Sequence, residues 1–281
     1  MSRLANSWRL VQASWTVLRS DKELIVFPVI SGIASLIVFA LFAVPLWISG
    51  YFDRLDDGTG NAKVTGFIVL FAMYVVLYTV VNYCNAALVG AALIRLRGGD
   101  PTASDGFKIA NQHLGPIVGY ALIGATVGVA MQALKERAGI AGQIVAWLGQ
   151  TAWNIATFLV IPVLVVEGIG PIEAVKRSSS LLKKTWGEQI VGSAGIGLVF
   201  GLITVGVVFA GGFVIVLAAA TGVVALIVLA VLIAAAVLAA VIAVGAALRG
   251  IFTAALYRYA AEGQTDGYFA NDLIQSAFRP K

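Results

Sequence analysis

Charge is the scarcest property of this sequence. Asp, Glu, Lys and Arg make up 12% of the 281 residues, about half the fraction that is usual in soluble domains. The stretch from Gln189 to Leu248 contains no charged residue and no histidine, and Glu188 and Arg249 close it. A soluble helix of that length would need polar residues on an outer face. The scarcity therefore excludes a soluble protein and predicts a chain that crosses a membrane several times.

Cysteine and histidine are almost absent. Cys84 is the single cysteine, so no intramolecular disulfide can form, and its apolar surroundings predict a small buried hydrophobic residue. His113 is the single histidine, and we expect it to be a surface residue with no metal. A catalytic nucleophile, base and orienting group cannot be assembled from this sequence. We therefore expect no enzymatic activity, no cofactor and no nucleic-acid partner.

Six apolar stretches are long enough to cross the ~30 Å hydrocarbon layer as helices. They are predicted at residues 24–49, 64–94, 115–134, 143–166, 189–216 and 222–248, and Pro162 is expected to interrupt the fourth. A polar loop, 51–63, separates the first two, and an uncharged turn near Ala218 to Gly222 separates the last two. No polar segment is long enough for a soluble domain. The sequence predicts a single membrane domain, 1–281, with a short cytoplasmic tail, 263–281.

Three connectors have apolar residues at helical spacing, which predicts amphipathic helices in the membrane interface. Ser20 and Glu23 predict a capping box before the first span, and Pro101 with Asp105 favours a helix start in the second connector. The predicted apolar stripes are Leu4, Trp8, Val11, Trp15 and Leu18; Ala103, Phe107, Ala110 and Leu114; and Ile172, Val175, Ser179, Leu182 and Trp186.

The connectors and spans predict an all-α membrane protein with an internal repeat. Six transmembrane helices form three repeated units, each an amphipathic interfacial helix plus a helical hairpin, at about 1–97, 98–167 and 168–262. The order of segments supports the repeat, as does the recurrence of Ala91-Ala92-Leu93-Ile94-Arg95 as Ala254-Ala255-Leu256-Tyr257-Arg258. Convergent interface chemistry at each helix entry is the alternative.

Basic residues predict the orientation. The side that holds both termini and the two long connectors carries 15 of the 19 Lys and Arg residues, and the other side carries four. Because cytoplasmic loops are enriched in Lys and Arg, both termini are predicted to be cytoplasmic in a multi-pass protein of the inner (plasma) membrane. The residues predicted to meet the lipid surface, and its anionic headgroups, are Trp8, Arg9, Trp15, Arg19, Lys176, Arg177, Lys183, Lys184 and Trp186.

Polar and small residues inside the spans form two further sets. Amides occur at helical spacing in the second and fourth spans, where they would either join neighbouring helices or line a polar path. These are Asn82, Asn85, Gln150 and Asn154. Glycines four apart would allow close helix packing, within the monomer or between subunits. These are Gly115, Gly119, Gly124, Gly128, Gly197 and Gly201.

The N-terminal motifs carry a family resemblance. Ser7-Trp8-Arg9-Leu10, Leu18-Arg19-Ser20-Asp21-Lys22-Glu23-Leu24 and Phe27-Pro28 resemble a family of uncharacterised bacterial and archaeal integral membrane proteins of unknown function. The segment from Val166 to Ser178 is similar, more loosely, to the membrane domains found beside glycerophosphodiester phosphodiesterases. The catalytic barrel of those enzymes has no counterpart here. The resemblance therefore implies an architecture and no activity.

These observations lead to two functional hypotheses. The first is a non-enzymatic inner-membrane protein that acts through its basic cytoplasmic-face helices, by binding the lipid surface or a protein partner, with homo-oligomerisation as a further option. The second is a passive channel or carrier for a small neutral or amphipathic molecule, which would use the amides of the spans. The spans contain no ionisable residue near their predicted centres, which argues against a proton-coupled mechanism.

Overall fold

The computed structural model describes residues 3–51, 60–137, 139–186, 195–264, 267–270 and 274, all without a β-strand. A 3-10 helix, Lys22–Ile25, precedes α2, and a π-helix, Arg258–Glu262, follows α10. The α-helices are α1 (Arg3–Ser20), α2 (Val26–Ile48), α3 (Gly60–Leu96), α4 (Ala103–Gln112), α5 (Leu114–Arg137), α6 (Gly139–Ala156), α7 (Val160–Glu167), α8 (Pro171–Trp186), α9 (Gly195–Ala220) and α10 (Val224–Tyr257). The predicted all-α fold is confirmed for this part of the chain.

In the part of the chain that the structure describes, six helical segments are long and apolar enough to cross a membrane, as the sequence predicts. They are Lys22–Ile48, Val64–Leu96, Leu114–Glu136, Ala141–Glu167, Val199–Ala220 and Val224–Glu262. The predicted turn between the last two is present, and Gly222 provides its left-handed backbone at φ +68°. The predicted loop at 51–63 and the start of the fifth span lie largely outside the described residues, as does most of the tail after 263.

The fourth span is interrupted near Pro162, as predicted, whereas the sixth differs from its predicted form. The fourth is broken at residues 157–159 into α6 and α7, because Pro162 lacks the N–H that a continuous helix would need and is accommodated in the first turn of α7. The sixth does not end at Leu248. Helix α10 continues to Tyr257, because Arg249 is followed by buried apolar residues that pack against α3 rather than by a turn.

Helix ends gather at two opposite ends of the bundle. At one end, Arg95 contacts Ser20, Arg97 contacts Glu262, and Tyr257 contacts Glu167. We call this the charged end. At the opposite, far end, α2 finishes, α3 begins, and the α5–α6 and α9–α10 turns lie.

The protein core lies at the charged end. The buried residues include Ala86–Leu93 of α3, Val160–Val165 of α7 and Gly250–Tyr257 of α10. Towards the far end, large apolar side chains are exposed instead, such as Phe209 at 74% and Leu232 at 62%. A surface of this kind is typical of helices covered by lipid.

Helix α1 packs against α9 and α10 at the charged end. Leu10, Val17 and Leu18 are buried, whereas Trp8 and Trp15 are 51% and 42% exposed. The predicted stripe is therefore split: Val11 and Leu18 pack on protein, whereas the two tryptophans stay available for the lipid surface, where they were predicted to lie. The face that packs is centred on the small buried Ser14, which allows close approach, and it turns the tryptophans outward.

The predicted stripe of α4 packs into the core almost entirely, and that of α8 does so in part, at Val175 and Leu182. In α8, Ala174, Ser178 and Leu181 are buried, while the predicted Ile172 is 62% exposed. The hydroxyl of Ser178 accepts a hydrogen bond from the Leu159 N–H at 3.0 Å, which fixes α8 beside the break in the fourth span. The predicted stripe residues of α4 pack into the core except for the last, Leu114, which is 45% exposed at the start of α5.

The predicted capping box at Ser20 and Glu23 is wrong. Asp21 caps the 3-10 helix instead, and the Glu23 carboxylate accepts a hydrogen bond from the N–H of Ala103 on α4. A capping box does form at the start of α4, between Thr102 and Asp105. Glu23 is unavailable for the predicted box because it serves the N-terminus of another helix.

Candidate functional site

Ion pairs join the connectors to the spans at the charged end. The Arg177 Nε lies 3.0 Å from both carboxylate oxygens of Glu167, and the Tyr257 hydroxyl donates to the same carboxylate at 3.2 Å. Glu167 comes directly before Gly168, whose φ of +63° turns the chain from α7 into α8. This turn brings Arg177 back beside the end of α7. Arg177, predicted to face lipid, thus anchors α8 to the bundle.

A second network surrounds the end of α10. Arg258 is 6% exposed and donates to the Leu96 carbonyl oxygen, to Gln264 and to Glu262. Glu262 also pairs with Arg97. This arrangement satisfies the backbone at the end of α3 with a buried guanidinium. It fixes α3 and α10 to each other at the charged end.

The other described basic candidates differ in their exposure. Arg19, Lys176, Lys183 and Lys184 are exposed, and Arg9 is half-buried. The side chain of Trp186 lies outside the described part of the chain. The exposed lysines of α8 and the tryptophans of α1 leave the charged end with basic and aromatic groups on its outer surface.

Asp21 is a buried carboxylate of the charged end. It is 6% exposed, and its Oδ1 accepts from the Glu23 N–H at 3.2 Å. Its Oδ2 is buried without a hydrogen-bond partner among the described residues. Burial raises the pKa of Asp21 above its ordinary value, although the Glu23 N–H and Arg95 oppose the shift. Asp105 is the opposite case, since hydrogen bonds from Thr102 lower its pKa.

A cavity of about 300 Å³ lies between α2, α3, α5, the α6–α7 break and α10. Its apolar lining includes Pro28, Val81, Leu88 and Ala246. Its polar lining is Ser31, Asn82, Asn85, Tyr120, Thr157, Arg249 and Thr253. No acidic side chain is among its described lining residues, so the cavity carries a net positive charge.

The structure separates the two sets of predicted amides. Asn82 and Asn85 both line the cavity, and the Asn82 amide donates to the Tyr78 carbonyl oxygen at 2.7 Å. Gln150 donates to Asn154 at 2.9 Å within α6, away from the cavity lining. The described residues therefore do not bring the four amides together along one polar path.

Arg249 is a site residue that the sequence reasoning missed. At the end of a long apolar run it was expected to mark the end of a span, but it lies inside α10 and lines the cavity with Asn85 and Thr253. Its guanidinium forms no hydrogen bond or ion pair with the part of the chain that the structure describes. The sequence feature that could have indicated this position is the neighbouring Gly250, which lets α10 pack closely against α3. A Cβ added at Gly250 would lie 2.4 Å from a Leu88 methyl carbon.

The predicted packing glycines fall into two groups. On α5, a Cβ added to Gly119, Gly124 or Gly128 would meet a neighbouring side chain at 3.0, 2.5 or 3.2 Å, respectively. Those neighbours are Pro171, Tyr78 and Tyr74. At Gly115 and Gly201 no atom of the described residues lies within 4 Å of an added Cβ, and the surroundings of Gly197 are outside the described structure. For Gly201, the described residues show no packing within the monomer, so packing between subunits remains a prediction.

Known proteins place the chain in a family but provide no activity. The chain matches the model of a family of unknown function (DUF6159) over residues 64–267, which is 204 of its 281 residues. The N-terminal motifs that carried the predicted resemblance lie before this range. No curated protein and no solved structure matches the chain. Because the match covers most of its length, from α3 through α10, the chain belongs to the DUF6159 family of unknown function.

Proposed function

We propose that this protein is a non-enzymatic inner-membrane protein whose charged end engages the anionic surface of the cytoplasmic leaflet. The observation that carries this proposal is the outer surface of that end. Lys176, Lys183 and Lys184 are exposed on α8, and Trp8 and Trp15 are exposed on α1. Each basic residue near an anionic leaflet contributes about 1 kcal/mol, and tryptophan favours the interface.

The proposed organisation has three units, each formed by a connector helix and the hairpin that follows it. Helices α1, α4 and α8 each come before a span pair, and α1 and α8 present basic residues outward. The excess of basic residues at the charged end supports its cytoplasmic orientation. To test the orientation, single cysteines at Lys135 and Ser180 in a Cys84→Ala protein are labelled in intact cells with a membrane-impermeant thiol reagent. We expect labelling at Lys135 alone, and the reverse pattern would contradict the orientation.

Lipid engagement is testable by hydrogen exchange of the full-length protein in nanodiscs. Amides of α8 should exchange more slowly with phosphatidylglycerol than with phosphatidylcholine, because headgroup contacts would stabilise α8 against local opening by up to ~3 kcal/mol. Replacing Lys176, Lys183 and Lys184 with Gln should remove the difference. Lys135→Gln, the same change at the far end, is the matched control. Equal protection in both lipids would contradict the proposal.

A passive carrier for a small neutral or amphipathic molecule is the second candidate function. The polar cavity beside Asn82 and Asn85 favours it, whereas the separation of Gln150 and Asn154 from that cavity does not. Reconstituted protein that passes a panel of neutral tracers, and loses flux on Asn85→Leu, would support the carrier over the surface-binding function.

A further inference from the structure

The cavity lies at a defined depth along the helices. About 20 residues of helix cross the hydrocarbon layer. Counted from Val64, Val224 and Ile48 at the far end, 20 residues reach roughly residue 84 on α3, roughly 244 on α10 and roughly 28 on α2. Residues that line the cavity stand within two residues of each of these positions, including Pro28, Asn85 and Ala246. The cavity is therefore at the level where hydrocarbon ends and lipid headgroups begin.

Burial changes at the same level. The large exposed apolar side chains of α3 end at Val81, and those of α10 end at Ile242. Beyond these positions the same helices enter the protein core. Val81 and Ala246 are exposed and also line the cavity, so the cavity reaches the lipid-facing surface. A molecule that occupied it could keep an apolar tail in the bilayer.

The polar groups of the cavity suit an oxyanion. Neither the Arg249 guanidinium nor the Asn85 amide forms a hydrogen bond or ion pair within the described chain, so both present free N–H donors to the cavity. A guanidinium binds phosphate or carboxylate through two parallel hydrogen bonds. The Thr253 hydroxyl, by contrast, already donates to the Arg249 carbonyl oxygen at 2.8 Å. An isolated cation at the edge of the hydrocarbon is costly unless it meets an anion or water.

We propose that this cavity is a binding site for the anionic headgroup of a membrane lipid. Arg249 binds the headgroup oxyanion, Asn85 donates a further hydrogen bond, and the acyl chains leave past Val81 and Ala246. The volume of about 300 Å³ is at the small end of the range for ligand pockets, which suits a headgroup better than a whole lipid. The site goes beyond the proposed surface binding, because it is a pocket between helices with one cation, the exposed Arg249, rather than a row of lysines on the outer face of α8.

The test is native mass spectrometry of the full-length protein in neutral detergent, titrated with phosphatidylglycerol or with phosphatidylcholine of the same acyl chains. We expect one phosphatidylglycerol per chain to be retained in preference to phosphatidylcholine. Arg249→Gln should weaken this binding roughly tenfold or more, the scale of one lost charge-assisted interaction. Lys184→Gln, which affects only the exposed face, should leave it unchanged. If Lys184→Gln weakens it as much as Arg249→Gln, the lipid belongs to the surface and the pocket proposal is wrong.

A second variant decides the matter even if Arg249→Gln does not fold. Ala246→Trp should fill the cavity while it keeps the charge, so it should also reduce phosphatidylglycerol retention. Full retention in Ala246→Trp would overturn the proposal. Glycerol phosphate distinguishes a headgroup site from a site for free phosphate: competition at concentrations similar to those of the lipid would overturn the lipid assignment. If α8 shows no lipid-dependent protection in nanodiscs but phosphatidylglycerol retention still depends on Arg249, only the surface-binding proposal fails. The two proposals can therefore fail separately.

Discussion

The two halves of α3 are both apolar, yet they lie in opposite surroundings. Leu88 and Leu93, near the charged end, are 2% and 3% exposed, whereas Phe67 and Ile68, towards the far end, are 57% and 60% exposed. The fourth and fifth spans show the same contrast. In the most apolar stretch of Ala141–Glu167, 39% of the residues are buried, whereas in that of Val199–Ala220 none is buried. Apolarity thus does not reveal what covers a helix. Protein covers it at the charged end, and we infer that lipid covers it elsewhere.

This contrast predicts that sensitivity to substitution follows protein burial rather than hydrophobicity. At the charged end a change must disturb neighbouring helices and a polar network. In the far hairpins the same change meets lipid, which adapts to it. Matched substitutions in the two regions therefore test whether burial in protein controls stability.

The largest expected effect is at Arg258. Arg258→Gln would leave the Leu96 carbonyl oxygen and Glu262 with fewer buried partners, and removing one member of a buried charged network typically costs about 3 to 5 kcal/mol. We expect a marked fall in the melting temperature of the purified protein in detergent. Arg19→Gln, on an exposed surface of the same end, should change it little. Equal effects at the two sites would show that burial at the charged end does not control stability.

A matched pair of glycines should show an intermediate effect. An alanine Cβ at Gly106 would lie 2.6 Å from the Ala87 carbonyl oxygen and 2.5 Å from Phe27, whereas at Gly201 it meets open space. Overpacking of this kind costs about 1 to 3 kcal/mol. Gly106→Ala should therefore lower the melting temperature. Gly201→Ala should leave it unchanged or raise it slightly, because alanine favours a helix by up to ~1 kcal/mol.

A fall at Gly201 would contradict the comparison and would indicate a contact that a single chain does not form. Cross-linking of the full-length protein in membranes would then show whether a second copy covers that face. If Gly201→Ala left both melting and cross-linking unchanged, the face would be lipid-covered. This outcome would show that the predicted helix contact at Gly201 is wrong.

The spans were predictable because length and apolarity alone decide them. The packed faces of α1 and α8 were not. The predicted stripe of α1 groups the buried Val11 and Leu18 with the exposed Trp8 and Trp15, because periodicity alone does not separate a side chain that packs on protein from one that faces the lipid surface. In α8 the small residues Ala174 and Ser178 determine the buried face because they allow close approach, which a pattern of large apolar residues does not reveal.

The candidate site shows the same limit. Asn82 and Asn85 were predicted as polar residues that share one helix face, and both line the cavity. Arg249 was missed because a charge after a long apolar run usually marks the membrane boundary, whether or not the helix ends there. The pairing of Arg177 with Glu167 depends on the left-handed turn at Gly168, which reverses the chain between them. Such contacts follow from tertiary geometry, not from spacing.

The smallest expected effect concerns two carboxylates with opposite pH dependence. Burial raises the pKa of Asp21, so its contribution to stability is fully present below its ordinary value, about 4, and is lost as pH rises through the raised pKa. Arg95, Glu23 and Asp100 are the charged groups that act on it. Asp21→Asn keeps an oxygen for the Glu23 N–H and removes the charge. It should raise the melting temperature at neutral pH by a few degrees or less.

Asp105 provides the control, since hydrogen bonds from Thr102 lower its pKa. Its contribution is present above its ordinary pKa and is lost as pH falls through the lowered value. Asp105→Asn should therefore lower the melting temperature at neutral pH, with a difference from the parent that shrinks on acidification. For Asp21→Asn the increase in melting temperature over the parent should also shrink on acidification, so the two variants differ from the parent in opposite directions at neutral pH. A loss of stability at neutral pH in Asp21→Asn would mean that the charged form is favoured by its neighbours, contrary to the unpartnered Oδ2.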